Sequence, residues 1–171
     1  MDPLPTLHLV QNIRFLKFAS PLSPQHTHND KILLEGVHYL SSKAIISPYL
    51  PSTIPDAFPK SLNTCGRITV DPSANFVLVS NRGHNSIAVF KVDRASGGLL
   101  NNVGLFHTRG RTPRHFQFDP SGKYLIVANQ DTDTLTVFLF DRERGHLSFS
   151  GHEYDVPSPN FVCAIQPHGM C

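Results

Sequence analysis

Apolar and polar residues alternate with the two-residue period of a half-buried β-strand over much of the second half of the chain. Phe116 and Phe118, for example, alternate with polar neighbours. Two short apolar runs follow, at 124–128 and 135–140, and turn residues separate them. No amphipathic helical stretch occurs between residues 65 and 165. The pattern therefore predicts an all-β structure.

The same pattern occurs twice, 48 residues apart and without a gap. Asp71-Pro72-Ser73 recurs as Asp119-Pro120-Ser121, and of the 33 aligned positions from Arg67 to Leu99 eleven are identical. Each unit contains about four strands separated by turns. Four-stranded units of this length are typical of β-propeller blades, whereas the shorter common repeats contain helices.

Two complete blades and the beginning of a third, from Val156 onwards, fit into the 171 residues. A propeller needs at least about four blades to close, so we expect a truncated propeller over residues 51–171. Residues 1–50 are rich in proline and do not fit the repeat, so we expect an irregular N-terminal segment there. Unpaired strand edges and uncovered apolar faces predict self-association.

Charge and composition exclude several classes of function. The net charge is +2 with 16% charged residues, so general binding to nucleic acid is not expected. No signal peptide or membrane-spanning run is present, and the three scattered cysteines (Cys65, Cys163 and Cys171) favour a reducing, cytoplasmic compartment. His26 and His28 lie in a polar loop without a third ligand nearby, which favours solvated side chains over a metal site.

Strand parity brings three loops to one end of the two blades, because an antiparallel chain returns to its starting end after every second strand. We call these loops the rim; they comprise residues 81–86, 108–115 and 129–133. The rim contains four arginines and two histidines: Arg82, Arg109, Arg111, Arg114, His84 and His115. Arginine suits phosphate and carboxylate groups, and histidine can transfer protons near neutral pH. The alternative is that these are ordinary solvated loop residues.

Two long motifs, VSNRGHNSIAVF and TPRHFQFDPSGKYLIVANQDTDTLTVF, together with VPSP, resemble the seven-bladed β-propeller lactonase family. The resemblance covers roughly residues 50–167 and corresponds to the C-terminal part of a family member. With the rim, it predicts catalytic roles for His84, Arg114 and His115 and substrate binding by five further residues: Asn81, Arg82, Arg111, Asn129 and Gln130. Asn85 stands where the family usually has aspartate, and the family's carboxylate partner has no counterpart here.

The resemblance implies hydrolysis of 6-phosphoglucono-1,5-lactone to 6-phosphogluconate, a step of the pentose phosphate pathway, with no metal or other cofactor. Arginines would hold the phosphate and polarise the lactone carbonyl, and a neutral histidine would deprotonate the attacking water. We expect little activity from this chain alone, since a propeller site draws residues from several blades. A carboxymuconate cyclase-like isomerase, and a non-catalytic propeller fragment acting as a binding module, remain alternatives.

Overall fold

The computed structural model describes residues 51–95 and 99–165, and residue 99 by its backbone only. These residues form eight strands and two short 3-10 turns. The first sheet contains β1 (Thr64–Val70), β2 (Phe76–Arg82), β3 (Ser86–Asp93) and β4 (Leu99–His107). The second contains β5 (Pro113–Phe118), β6 (Tyr124–Asn129), β7 (Thr134–Asp141) and β8 (His146–Asp155). The 3-10 turns are Lys60–Leu62 and Gln130–Thr132.

Each sheet is an antiparallel meander in which consecutive strands are neighbours. The prediction of two four-stranded blades is therefore confirmed. Both sheets also contain a β-bulge at the same place, between Cys65 and Ile68 in the first pair of strands and between Pro113 and His115 in the second. A bulge bends its strand and redirects its side chains.

Side chains that alternate along the strands pack the two sheets face to face. On β2, Phe76 and Leu78 face the second sheet, whereas Val77 and Val79 belong to a cluster on the opposite face. The shared core contains eleven buried residues from both sheets: Phe76, Leu78, Ile87, Val89, Phe116, Phe118, Leu125, Val127, Phe138, Phe140 and Leu147. The middle strands are mostly apolar, in keeping with the burial of both of their faces.

Aspartates end the first strand of each sheet and form the turn that follows. The Asp71 carboxylate accepts hydrogen bonds from the backbone N–H groups of Ser73, Asn75 and Phe76, at 2.9, 2.8 and 2.7 Å. Asp119 accepts two of the equivalent bonds in the second sheet, from the backbone N–H groups of Ser121 and Tyr124. The recurring Asp-Pro-Ser sequence thus satisfies backbone donors at the end of the blade opposite the rim.

Residues 156–165 lie over the outer face of the second sheet, where Val162 packs against Ile126, Ala128, Leu135 and Val137. The prediction that they form the first strand of a third blade is wrong, because no strand is assigned there. A strand requires a hydrogen-bonded neighbour, and the described residues supply none to this segment. The continuation to Gln166-Pro167, like residues 1–50 with His26 and His28, lies outside the described residues.

Candidate active site

The rim loops of the two blades are joined by hydrogen bonds. The Asn85 carbonyl accepts bonds from the backbone N–H and the hydroxyl of Thr108, at 3.0 and 3.1 Å. The Asn85 side chain accepts a bond from the Thr112 N–H at 2.9 Å, and the Thr112 carbonyl accepts one from the Gln130 N–H at 3.0 Å. The expectation that these loops lie at one end of the blades is confirmed.

The Arg-Gly-His turn is shaped by Gly83, which has φ +123°, a conformation that side chains strongly disfavour. A Cβ on Gly83 would lie 1.9 Å from the carbonyl oxygen of Leu62, so the loop rests directly on the 3-10 turn Lys60–Leu62. This close approach brings the His84 N–H within 3.2 Å of the Asn63 side-chain oxygen. Residues before the first blade therefore position the rim histidine.

The His84 imidazole is held on two sides. Its Nδ1 lies 2.7 Å from the hydroxyl oxygen of Ser86, and Phe58 packs edge-on against it with the ring centroids 5.0 Å apart. Burial, and then the neighbouring His107, lower the pKa of His84 below its ordinary value of 6.5. The ring is therefore mostly neutral at pH 7, as the predicted mechanism requires.

The arginines of the rim differ in their environment. Arg82 is half-buried and donates a hydrogen bond to the Cys65 carbonyl at 3.2 Å. Arg114 is exposed and donates to the Gln130 side-chain oxygen at 3.3 Å, so these two predicted site residues are in contact. Arg111 is exposed and donates to the Asp131 carbonyl at 3.3 Å. Arg111 and Arg114 are accessible to an anionic ligand without rearrangement of the fold.

His115, the last residue of the rim loop 108–115, is only 7% exposed. Its Nδ1 accepts a hydrogen bond from the Val162 N–H at 3.2 Å, and Phe161 covers its ring with the centroids 4.3 Å apart. Burial, and then the charge of Arg67, lower its pKa from 6.5 to about 4. Burial also lowers the pKa of the Arg67 guanidinium. The catalytic role predicted for His115 is untested, and these contacts do not present its ring to a substrate at the rim.

Asn81 and Asn129 are fully buried and occupy equivalent positions in the two blades. The Asn81 side chain donates to the Thr53 carbonyl at 2.7 Å, and the Asn129 side chain donates to the Thr108 carbonyl at 3.2 Å. The Asn81 bond thus holds the segment that precedes the first blade. The Asn129 bond holds the segment that connects the first blade to the second. Direct contact of either with substrate stays a prediction, because their present contacts support the loops from below.

Sequence reasoning missed four residues around His84 and His115. His107 is paired with Ser86 across β3 and β4, and Asn63 and Ser86 bond to His84. Arg67 adjoins His115 electrostatically. Ser86 lies within the recognised motif, but no sequence signal marked any of the four as a partner of His84 or His115, because they come close through strand pairing and packing.

The comparisons with known proteins agree with this architecture. The family model described as "Lactonase, 7-bladed beta-propeller" matches residues 43–164, more than half of the chain. The chain belongs to the lactonase family of seven-bladed β-propellers. The match begins at residue 43, before the boundary predicted at residue 51.

Among the relatives of this lactonase-family chain is the 6-phosphogluconolactonase of Bacillus subtilis strain 168, which is 41% identical over 59% of this chain and 32% of its own length. A periplasmic gluconolactonase of Pseudomonas aeruginosa superposes with a TM-score of 0.59 at 32% identity, covering 66% of this chain and 31% of that one. A putative 6-phosphogluconolactonase from Bacteroides fragilis gives a TM-score of 0.53 at 36% identity, covering 56% and 27%. The chain spans about a third or less of the length of these relatives.

Two further observations concern the described residues only. No group of three or more His, Cys, Asp or Glu side chains that could hold a metal ion occurs in 51–95 and 99–165. Neither helical turn in that part of the chain has the length or apolarity to cross a membrane.

Proposed function

We propose that the rim is part of a lactone-hydrolysing site that acts on 6-phosphoglucono-1,5-lactone. The observation that carries the proposal is the joining of the Arg-Gly-His and Pro-Arg-His loops at one end of the blades, through Asn85 and Thr112. This arrangement combines exposed guanidinium groups with a neutral imidazole. The names of the Bacillus and Bacteroides relatives support the phosphorylated lactone as substrate, and the name of the Pseudomonas relative supports the gluconolactone ring.

The chemistry divides between the two kinds of side chain. Arg114 and Arg111 bind the phosphate or another anionic group, since guanidinium groups form strong charge-assisted bonds to such oxygens. His84 lies beside the reacting carbonyl as a neutral imidazole. Turnover by this chain alone is low, because the remaining blades contribute to a complete site. A cytoplasmic location is part of the same proposal and is supported by the small number and wide spacing of the cysteines in the sequence.

Substitution of one rim arginine tests the site through its affinity for ligand. A binding measurement does not require that this chain turn over substrate. We expect Arg114→Gln to weaken binding of 6-phosphogluconate, the reaction product, about tenfold or more, because a charge-assisted hydrogen bond is lost. Isothermal titration calorimetry measures the change. Gluconate, which lacks the phosphate, is expected to bind more weakly than 6-phosphogluconate to the unmodified chain.

Arg94→Gln is the matched control, since it removes the same charge at the opposite end. There Arg94 is exposed and donates to the Ala74 carbonyl at 3.2 Å. Its substitution is expected to leave the affinity for 6-phosphogluconate unchanged. Equal losses in the two variants would indicate attraction by net charge alone and would contradict a site at the rim.

A further inference from the structure

A closed circuit of hydrogen bonds holds His84 at both its backbone and its ring. The His84 N–H donates to Asn63 Oδ1 at 3.2 Å, and Asn63 Nδ2 donates to Asn81 Oδ1 at 3.2 Å. Asn81 Nδ2 in turn donates to Ser86 Oγ at 3.2 Å, and Ser86 Oγ lies 2.7 Å from His84 Nδ1. Asn63, Asn81 and Ser86 are 7%, 0% and 1% exposed, so these bonds are shielded from water.

The direction of donation around this circuit is fixed by the backbone at two points. The His84 N–H can only donate, so the Asn63 oxygen must face it and the Asn63 amide nitrogen must face Asn81. The Thr53 carbonyl can only accept, so the amide nitrogen of Asn81 must face Thr53 and Ser86. Both asparagine orientations therefore follow from backbone polarity.

The hydroxyl hydrogen of Ser86 is the one hydrogen of this circuit whose direction the backbone does not fix. Ser86 Oγ already accepts a bond from Asn81 Nδ2, and within the described residues its other recorded partner is His84 Nδ1. A buried hydroxyl hydrogen without an acceptor is costly. Donation from Ser86 to His84 Nδ1 satisfies it, and the proton of the neutral imidazole then resides on Nε2.

The second blade keeps one contact of this circuit, without the histidine. Residues 132 and 134 correspond to His84 and Ser86 in the 48-residue repeat, and the Thr132 and Thr134 hydroxyls lie 3.2 Å apart. The hydroxyl-centred contact at the loop base is thus common to both blades. The imidazole is the group that the first blade adds.

We infer that Ser86 is a positioning residue that holds His84 as an Nε2–H hydrogen-bond donor toward the substrate oxygen, rather than as the base that activates water. This inference rests on the proposed function for its substrate. A neutral imidazole N–H can polarise a carbonyl and stabilise the oxyanion that forms when water attacks it. On this inference His84 does not activate the attacking water, and that role would fall to a different group.

The tautomer is measurable in the ligand-free chain by a long-range ¹H–¹⁵N NMR spectrum at pH 7.5, with His84 assigned through His84→Gln. We expect Nε2 to carry the proton and Nδ1 to be unprotonated. In Ser86→Ala the ratio of the two tautomers should shift about fivefold toward Nδ1–H, the effect of losing one neutral hydrogen bond. Ser86→Thr keeps the hydroxyl and should keep the original ratio.

A proton on Nδ1 in the unmodified chain would overturn the inference, as would an unchanged tautomer ratio in a folded Ser86→Ala variant. If Ser86→Ala does not fold, the spectra of the unmodified chain and of Ser86→Thr still show which ring nitrogen of His84 carries the proton. Because no ligand is present, the result is independent of the affinity for 6-phosphogluconate. Failure of that binding would reject the proposed function and leave the tautomer assignment standing.

Discussion

Gly83→Ala is expected to lower the free energy of unfolding by about 3 kcal/mol or more, since it combines a strained backbone with a backbone clash. The residue has φ +123°, and its Cβ would lie 1.9 Å from the Leu62 carbonyl oxygen. A carbonyl cannot move aside as the end of a flexible side chain can. The Arg-Gly-His loop would have to lift from the Lys60–Leu62 turn, and His84 would lose its bond to Asn63.

Gly151→Ala is the control for this effect. Gly151 also has positive φ, +86°, but its Cβ would meet no atom within 4 Å. We expect Gly151→Ala to lower the free energy of unfolding by only about 1 kcal/mol, because it strains the backbone conformation without a steric clash. Urea denaturation of both variants measures the difference; similar costs would mean that the loop does not rest on residues 60–62.

Lowering the pH from 7 to 4.5 is expected to reduce the free energy of unfolding by about 2 kcal/mol through His115 alone. Its pKa is about 4 in the folded chain and 6.5 as the ordinary value. Between these values the unfolded chain binds the proton more readily than the folded chain. The stabilising effect is therefore complete above pH 6.5, decreases as the pH falls, and is fully lost below about pH 4.

The pKa of His115 is low because the ring is buried beneath Phe161 and lies near the positive charge of Arg67. Both effects destabilise the protonated imidazolium form. His115→Gln can still accept a bond from Val162, so the loss between pH 7 and 4.5 should be about 2 kcal/mol smaller in that variant. His152→Gln, on the outer strand β8, is the control. Its free energy of unfolding should fall between pH 7 and 4.5 by as much as that of the unmodified chain. An identical pH dependence in all three proteins would show that His115 titrates normally in the folded state.

The strands could be predicted from the sequence because their causes are local. The Asp71 and Asp119 carboxylates bond to backbone groups within five residues, so the turn residues and strand periodicity suffice to predict about four strands in each unit. Residues 156–165 were predicted wrongly, because pairing depends on a neighbouring strand and not on the segment's own composition. Their apolar character instead reflects packing of Val162 on the second sheet.

Much of the candidate site depends on contacts that are distant in sequence. The environment of His115 is set by Val162, 47 residues later, and that of His84 by Asn63, 21 residues earlier. Periodicity says nothing about such pairs. The recurrence of Asn81 as Asn129 was visible, but only packing shows that both amides are buried supports beneath the rim.

The location of the ligand is the central claim, and amide chemical-shift mapping during titration with 6-phosphogluconate tests it most directly. We expect the perturbed ¹H–¹⁵N signals to cluster in the rim, at residues 81–86, 108–115 and 129–133. Signals from the opposite end, at residues 71–75 and 119–123, should stay in place. Perturbation confined to that opposite end, or no perturbation at saturating ligand, would contradict the account.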